Sequence, residues 1–79
     1  MEGKRVTLYG HDGCPGTVRA REYLRRMGIP FVERDVTQPE RFAEMVRHGS
    51  YATPLLLFGA ARMVGFDVKE FERLWNQAR

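Results

Sequence analysis

One cysteine stands in a chain of 79 residues, and it stands where a thiol can be made reactive. The segment Gly13-Cys14-Pro15 follows an alternating apolar run that stops at Gly10, and it precedes a stretch with helical spacing. A cysteine at such a strand-to-helix corner meets the first N–H groups of the helix, which lack internal partners, and the positive end of its dipole. Both favour the anion, so the thiol should ionise more readily than a free one. The thiolate is the attacking species in thiol–disulfide exchange. His11, when protonated, and the neighbouring arginines would assist, whereas Asp12 would oppose. The competing interpretation is a buried, inert cysteine; glycine before and proline after it favour a corner over a core strand.

Two further elements could serve such a thiol. Thr53-Pro54 precedes an apolar run, and a cis proline there would expose the backbone of the preceding residue for pairing with an extended peptide. It can equally be a plain strand start. Gly65-Phe66-Asp67 could hold a turn and a carboxylate near a ligand amine, or Asp67 can simply cap the helix that follows.

Composition removes several function classes. One cysteine closes no intramolecular disulfide, and with the separated His11 and His48 it cannot supply the four ligands of a structural zinc site, so no bound metal is expected. No run approaches the roughly 20 apolar residues of a membrane span, and the N-terminus lacks the apolar core of a secretory signal. A cytoplasmic protein without a membrane partner is expected. The net charge is +3, with Arg19, Arg21, Arg25 and Arg26 in one segment, but acidic residues are interspersed and no recognition motif accompanies them. That pattern describes a solvated helix face, so no nucleic-acid partner is expected.

The elements that must position these residues follow from periodicity. Residues 1–79 read as one small domain without repeats or linkers. Lys4–Gly10 alternates as a strand. Pro15 suits the first turn of a helix whose inner positions are Ala20, Tyr23, Leu24 and Met27, with Gly28 at its end. Ile29–Val36 reads as a second strand with Pro30 at its start. Thr37 is placed to cap a second helix with Phe42, Met45 and Val46 inside, ended by Gly49-Ser50. Pro54–Phe58 and Ala61–Val64 form a hairpin through Gly59-Ala60. Val68, Phe71, Leu74, Trp75 and Ala78 mark a third helix. The expected architecture is α/β with order β-α-β-α-β-β-α: a four-stranded mixed sheet, its first two strands parallel, with helices on both faces.

With that order, the chain resembles the glutaredoxin family of the thioredoxin-like fold over nearly its whole length. The residues that carry the resemblance are Tyr9, Cys14-Pro15, Gly28-Ile29-Pro30-Phe31, Asp35-Val36, Thr53-Pro54 and Gly65-Phe66-Asp67. The Gly-Phe-Asp ending also resembles the small redoxins that serve ribonucleotide reductase. The resemblance implies Cys14 as nucleophile opposite a cis-proline loop. It implies Thr53, before Pro54, as backbone partner of the cysteinyl part of glutathione. Gly65, Phe66 and Asp67 would lie near the γ-glutamyl end, with Asp67 taking the amino group.

This sequence also departs from the family pattern. Dithiol members carry Cys-x-x-Cys, whereas here Cys14-Pro15-Gly16-Thr17 puts Thr17 where the resolving cysteine would be. It is not the Cys-Gly-Phe-Ser of members that bridge iron–sulfur clusters. His11 occupies the position of a basic residue, often lysine, making any contact to a glutathione carboxylate pH-sensitive. The expected function is therefore a monothiol oxidoreductase for protein mixed disulfides. Glutathione or another small thiol would be the co-substrate, and Thr17 would offer a hydroxyl to the Cys14 sulfur. The chain would be a monomer when reduced, and oxidation could join two copies through Cys14. The alternatives are a [2Fe–2S] module, built from two copies of Cys14 and two glutathiones, and a redox-inert partner-binding protein.

Overall fold

A computed structural model describes residues 5–77, so two expected positions, Lys4 in the first strand and Ala78 in the third helix, lie outside the described residues. The chain forms β1 (Val6–Gly10), α1 (Pro15–Arg26), β2 (Phe31–Asp35), α2 (Pro39–Arg47), β3 (Leu55–Phe58), β4 (Ala61–Val64) and α3 (Val68–Gln77), the order expected from sequence. Among the described residues no helix is long and apolar enough to cross a membrane.

The strands make one mixed sheet in the order β2-β1-β3-β4. β1 runs parallel to β2, with Gly10 opposite Asp35, and antiparallel to β3, with Tyr9 opposite Leu55. Because successive side chains of a strand point to opposite faces, β1 and β3 each serve two cores. Val6, Leu8, Leu56 and Phe58 pack with Ala20, Tyr23 and Leu24 of α1 and with Phe71 of α3. Tyr9 and Leu55 pack on the other face against Met45 of α2. One helix thus covers one face and two cover the other.

Chain punctuation decides where these elements end. Gly28, at φ 67°, turns the chain out of α1, and the Ile29 N–H returns to the Leu24 carbonyl at 2.9 Å. The helix has already ended at Met27, which is 54% exposed rather than part of the buried stripe. β2 is shorter than Ile29–Val36, although the Pro30 carbonyl still accepts the Val6 N–H and the Val36 N–H still reaches Gly10. Thr37 does not cap α2. Its N–H and hydroxyl both bond Asp35 Oδ1, at 2.9 and 2.7 Å, so Gln38 becomes the N-cap. Phe42 is exposed, because the second core is small and Met45 fills it. Asp67 caps α3 as expected, accepting the Glu70 N–H at 3.0 Å, while Val68, one step into the helix, is exposed.

Candidate functional site

Cys14 is the N-cap of α1, in extended conformation (φ −102°, ψ 113°), with Pro15 in the first turn. Its N–H donates to the His11 carbonyl at 3.1 Å, and its carbonyl accepts the first helical bond from Val18. The thiol is partly exposed, and Sγ donates to the Thr53 carbonyl at 3.6 Å. One hydrogen bond therefore joins the two flanks of the site, Thr53 from the β3 side and Cys14 from α1.

Hydrogen bonding makes this thiol acidic. The Thr17 hydroxyl, then the Thr53 side chain, then the N–H groups of Thr17 and Gly16 favour the anion; burial opposes them but is outweighed, and the pKa comes down from an ordinary 9.0 to about 7. Thr17 is fully buried, and its Oγ1 has no hydrogen-bond partner among the described residues while Cys14 is a thiol. Ionisation converts the sulfur from donor to acceptor, giving that enclosed hydroxyl a partner and relieving the cost of an unpaired buried group.

The Thr53–Pro54 peptide is cis. Pro54 is buried, and two contacts hold it. The Gly65 N–H donates to the Pro54 carbonyl at 2.8 Å, extending the β3–β4 pairing by one bond, and Gly65 reaches that position at φ 84°. On the other flank, a Cβ at Gly16 would lie 3.0 Å from Pro54 Cδ, so the missing side chain lets the loop approach the helix. Sequence reasoning passed over Gly16; its signal was a glycine inside the first turn of a helix, where it is otherwise unfavourable.

The remaining candidates are placed differently. Phe66 packs partly buried against Tyr23 and Phe71, at centroid distances of 5.5 and 5.9 Å. With Asp67, Arg19 and Lys69 it lines an open cleft of about 510 Å³ between α1 and α3. His11 lies on the other flank of β1, lining a cleft with Asp12, Arg21, Arg25, Glu33 and Asp35. Its Nδ1 accepts the Gly13 N–H at 3.1 Å, leaving Nε2 as the open nitrogen. The structure thus gathers Cys14, Thr17, Thr53, Pro54 and Gly65 into one contact set, with Pro15 opening the helix; His11 meets Cys14 through its carbonyl, while its imidazole faces the other cleft.

Arg21 was also missed as a site element. Its guanidinium bonds Glu33 of β2 through Nε and Nη2, at 2.8 and 2.6 Å, and Asp12 of the Cys14 loop at 2.7 Å. This clamp ties the loop to the sheet and neutralises the carboxylate that would oppose a thiolate. Arg21→Ala should cost about 1 kcal/mol once solvent screening is allowed for. The measurement is urea unfolding together with amide exchange at Gly13 and Cys14. Unchanged exchange at those amides would remove the clamp's role.

Comparison with known proteins agrees with this geometry. The glutaredoxin family model matches residues 6–59, and the chain belongs to the glutaredoxin family. A search of curated proteins finds no match. Among solved structures, the chain is similar to a glutaredoxin from Archaeoglobus fulgidus (29% identity, TM-score 0.75, covering 87% of this chain and 83% of that one). It is also similar to a glutaredoxin from Brucella melitensis (31% identity, TM-score 0.68, covering 94% and 87%). The glutaredoxin-like NrdH-redoxin from Escherichia coli shares the fold (24% identity, TM-score 0.75, covering 89% and 93%). Family membership supports a function of the thiol–disulfide oxidoreductase kind.

Proposed function

We propose that this chain is a monothiol glutaredoxin-like oxidoreductase that reduces mixed disulfides of proteins, using glutathione or another small thiol, in the reducing environment of the cytoplasm. The observation that carries the proposal is an acidified Cys14, with pKa about 7, facing the Thr53–Pro54 loop in a chain with no second cysteine.

In the first step the Cys14 thiolate attacks the glutathione sulfur of a protein–glutathione disulfide. The Cys14–glutathione bond forms, the protein–glutathione bond breaks, and the protein thiolate leaves to take a proton from water. In the second step a free glutathione thiolate attacks the glutathione sulfur of the adduct. Glutathione disulfide departs and the Cys14 thiolate is restored as leaving group. Both steps are thiol–disulfide exchange, and a low pKa makes Cys14 a good leaving group in the second.

This chain's residues divide the work. The Thr17 hydroxyl holds the anion by a charge-assisted hydrogen bond. When Cys14 is ionised its sulfur no longer donates to the Thr53 carbonyl, which frees backbone at Thr53 for the cysteinyl part of glutathione. Asp67 uses Oδ2 to cap α3 and keeps Oδ1 for the ligand amino group. The Gly65 N–H is occupied by Pro54, so Gly65 serves the site by holding that loop. His11 could reach a ligand carboxylate only through Nε2.

The decisive assay follows release of glutathione from a glutathionylated protein, with glutathione as reductant, for wild type and Cys14→Ser. Turnover should disappear in the variant. Equal slow release by both proteins would refute the proposal.

A further inference from the structure

We propose that Gly10 is a positioning residue for the reactive thiol: the side chain it lacks is the space that lets Thr17 stand with its hydroxyl toward Cys14. The inference rests on the reading of Cys14 as a thiolate nucleophile, and it names a residue that acts on that sulfur only through another.

Gly10 closes β1, and its backbone needs no glycine. Among the described residues the glycines with positive φ are Gly28, Gly49, Gly59 and Gly65, and Gly10 is not one of them. What requires a glycine is volume. A Cβ built on Gly10 would overlap Thr17 Oγ1 and would lie 2.5 Å from Cγ2 and 2.9 Å from Cβ. Neither partner is free to retreat. Gly10 is held at the end of the inner strand β1, paired with Asp35 and accepting the Val36 N–H at 3.0 Å. Thr17 belongs to the first turn of α1 and is fully buried.

Rotation about the Thr17 side-chain bond does not resolve the overlap. Staggered rotamers permute three positions around Cβ. Threonine's two heavy branches now occupy the two positions that crowd Gly10, so any rotation leaves one of them there. Serine has a single branch and could turn it to the third position, away from where the hydroxyl now stands. A methyl group at position 10 therefore works as a selector. It excludes threonine, and it admits serine only with the hydroxyl displaced. Since the Thr17 hydroxyl is the largest influence holding the Cys14 anion, the vacancy at Gly10 acts on the sulfur two contacts away.

The test is a double-mutant cycle read as thiol ionisation, followed by thiolate absorbance in the reduced protein as pH is raised. The readout needs no substrate, so a protein without deglutathionylating activity would still answer it. The charged groups near Cys14 in the chain, His11, Asp12 and Arg19, are the same in every variant. Thr17→Ser alone should keep the midpoint near that of wild type. Gly10→Ala in the Thr17→Ser background should raise it by about one pH unit, a tenfold loss of thiolate on the acid side. Gly10→Ala in the Thr17→Gly background, which has no side-chain atom left to crowd and no hydroxyl to displace, should leave the midpoint where Thr17→Gly alone puts it. The proposal is overturned if Gly10→Ala leaves the serine background unmoved. It is overturned equally if Gly10→Ala shifts the Thr17→Gly background, because it would then act without the hydroxyl. Should the serine double variant fail to fold, Thr17→Val with Gly10 intact supplies the hydroxyl arm: a midpoint unchanged from wild type there overturns the proposal too.

Discussion

Alkylation of Cys14 by iodoacetamide is expected to rise with a midpoint near pH 7, about two units below that of the same cysteine in the unfolded chain. At pH 7 about half of the folded protein is then thiolate, against about one part in a hundred for the unfolded cysteine. The rate gain is smaller than this ratio. Nucleophilicity falls with pKa, with a coefficient of about 0.4–0.5, so two units cost about tenfold. The folded protein should react about fivefold faster than the unfolded chain at pH 7 and more slowly above pH 9. That crossing distinguishes an acidified thiol from one that is merely accessible. The same shift is a statement about stability. A folded pKa below the unfolded one means that the thiolate's interactions are fully present above about pH 9 and are lost as pH falls through 7. Relative to Cys14→Ser, the reduced wild type should therefore gain about 2 kcal/mol between pH 7 and pH 9.5 in urea unfolding. An alkylation midpoint near 9, or parallel stability profiles, would mean that the donors around Cys14 do not hold the anion.

Phe71→Ala should remove much of the fold's stability, at a cost of about 3–5 kcal/mol. Phe71 is fully buried and meets four rings: Phe58 at 5.0 Å, Trp75 at 5.5 Å in a stacked arrangement, Tyr23 at 5.6 Å edge-on and Phe66 at 5.9 Å. A domain of this size has a total stability of about 5–10 kcal/mol, so the variant should be partly unfolded in buffer or nearly so. Loss should also reach the site, because Phe66 follows Gly65, whose N–H holds Pro54 opposite Cys14. Urea unfolding checks the magnitude, with Phe42→Ala as the exposed-ring control, expected within about 1 kcal/mol of wild type. A Phe71→Ala midpoint no lower than that of the control would show that the aromatic cluster does not carry the larger core.

The legible features were those whose physics is local. Alternation of Val6 and Leu8 with Thr7 and Tyr9 announces a strand, and it also assigns the two faces of β1 to separate cores. Gly28 and Gly59 mark chain reversals that require positive φ, and Asp67 caps the helix immediately after it. Cys14-Pro15 at a helix start and proline after Thr53 were visible for the same reason. What stayed hidden depends on a rival or a distant partner. Thr37 had a good cap's chemistry, but Asp35, two residues back, offered its carboxylate at a shorter reach. Phe42 had the right helical spacing, yet the face under α2 has room for Met45 alone. Arg21 gave no sign of clamping Asp12 to Glu33, since that pairing exists only once the fold brings α1, β2 and the Cys14 loop together. Gly10 looked like the end of a strand; the side chain that demands it lies seven positions onward, brought close by the strand-to-helix turn.

Threonine rather than a second thiol one turn into α1 also sets the tempo of the proposed cycle. An internal resolving group would act at an effective concentration of about millimolar or more, whatever the surroundings held. Without one, the adduct on Cys14 waits for collision, and its lifetime varies inversely with the concentration of free small thiol. A tenfold depletion of that pool would lengthen the wait about tenfold. The fraction of chains standing as adduct would then gauge the ratio of remaining protein mixed disulfide to free small thiol rather than either pool alone.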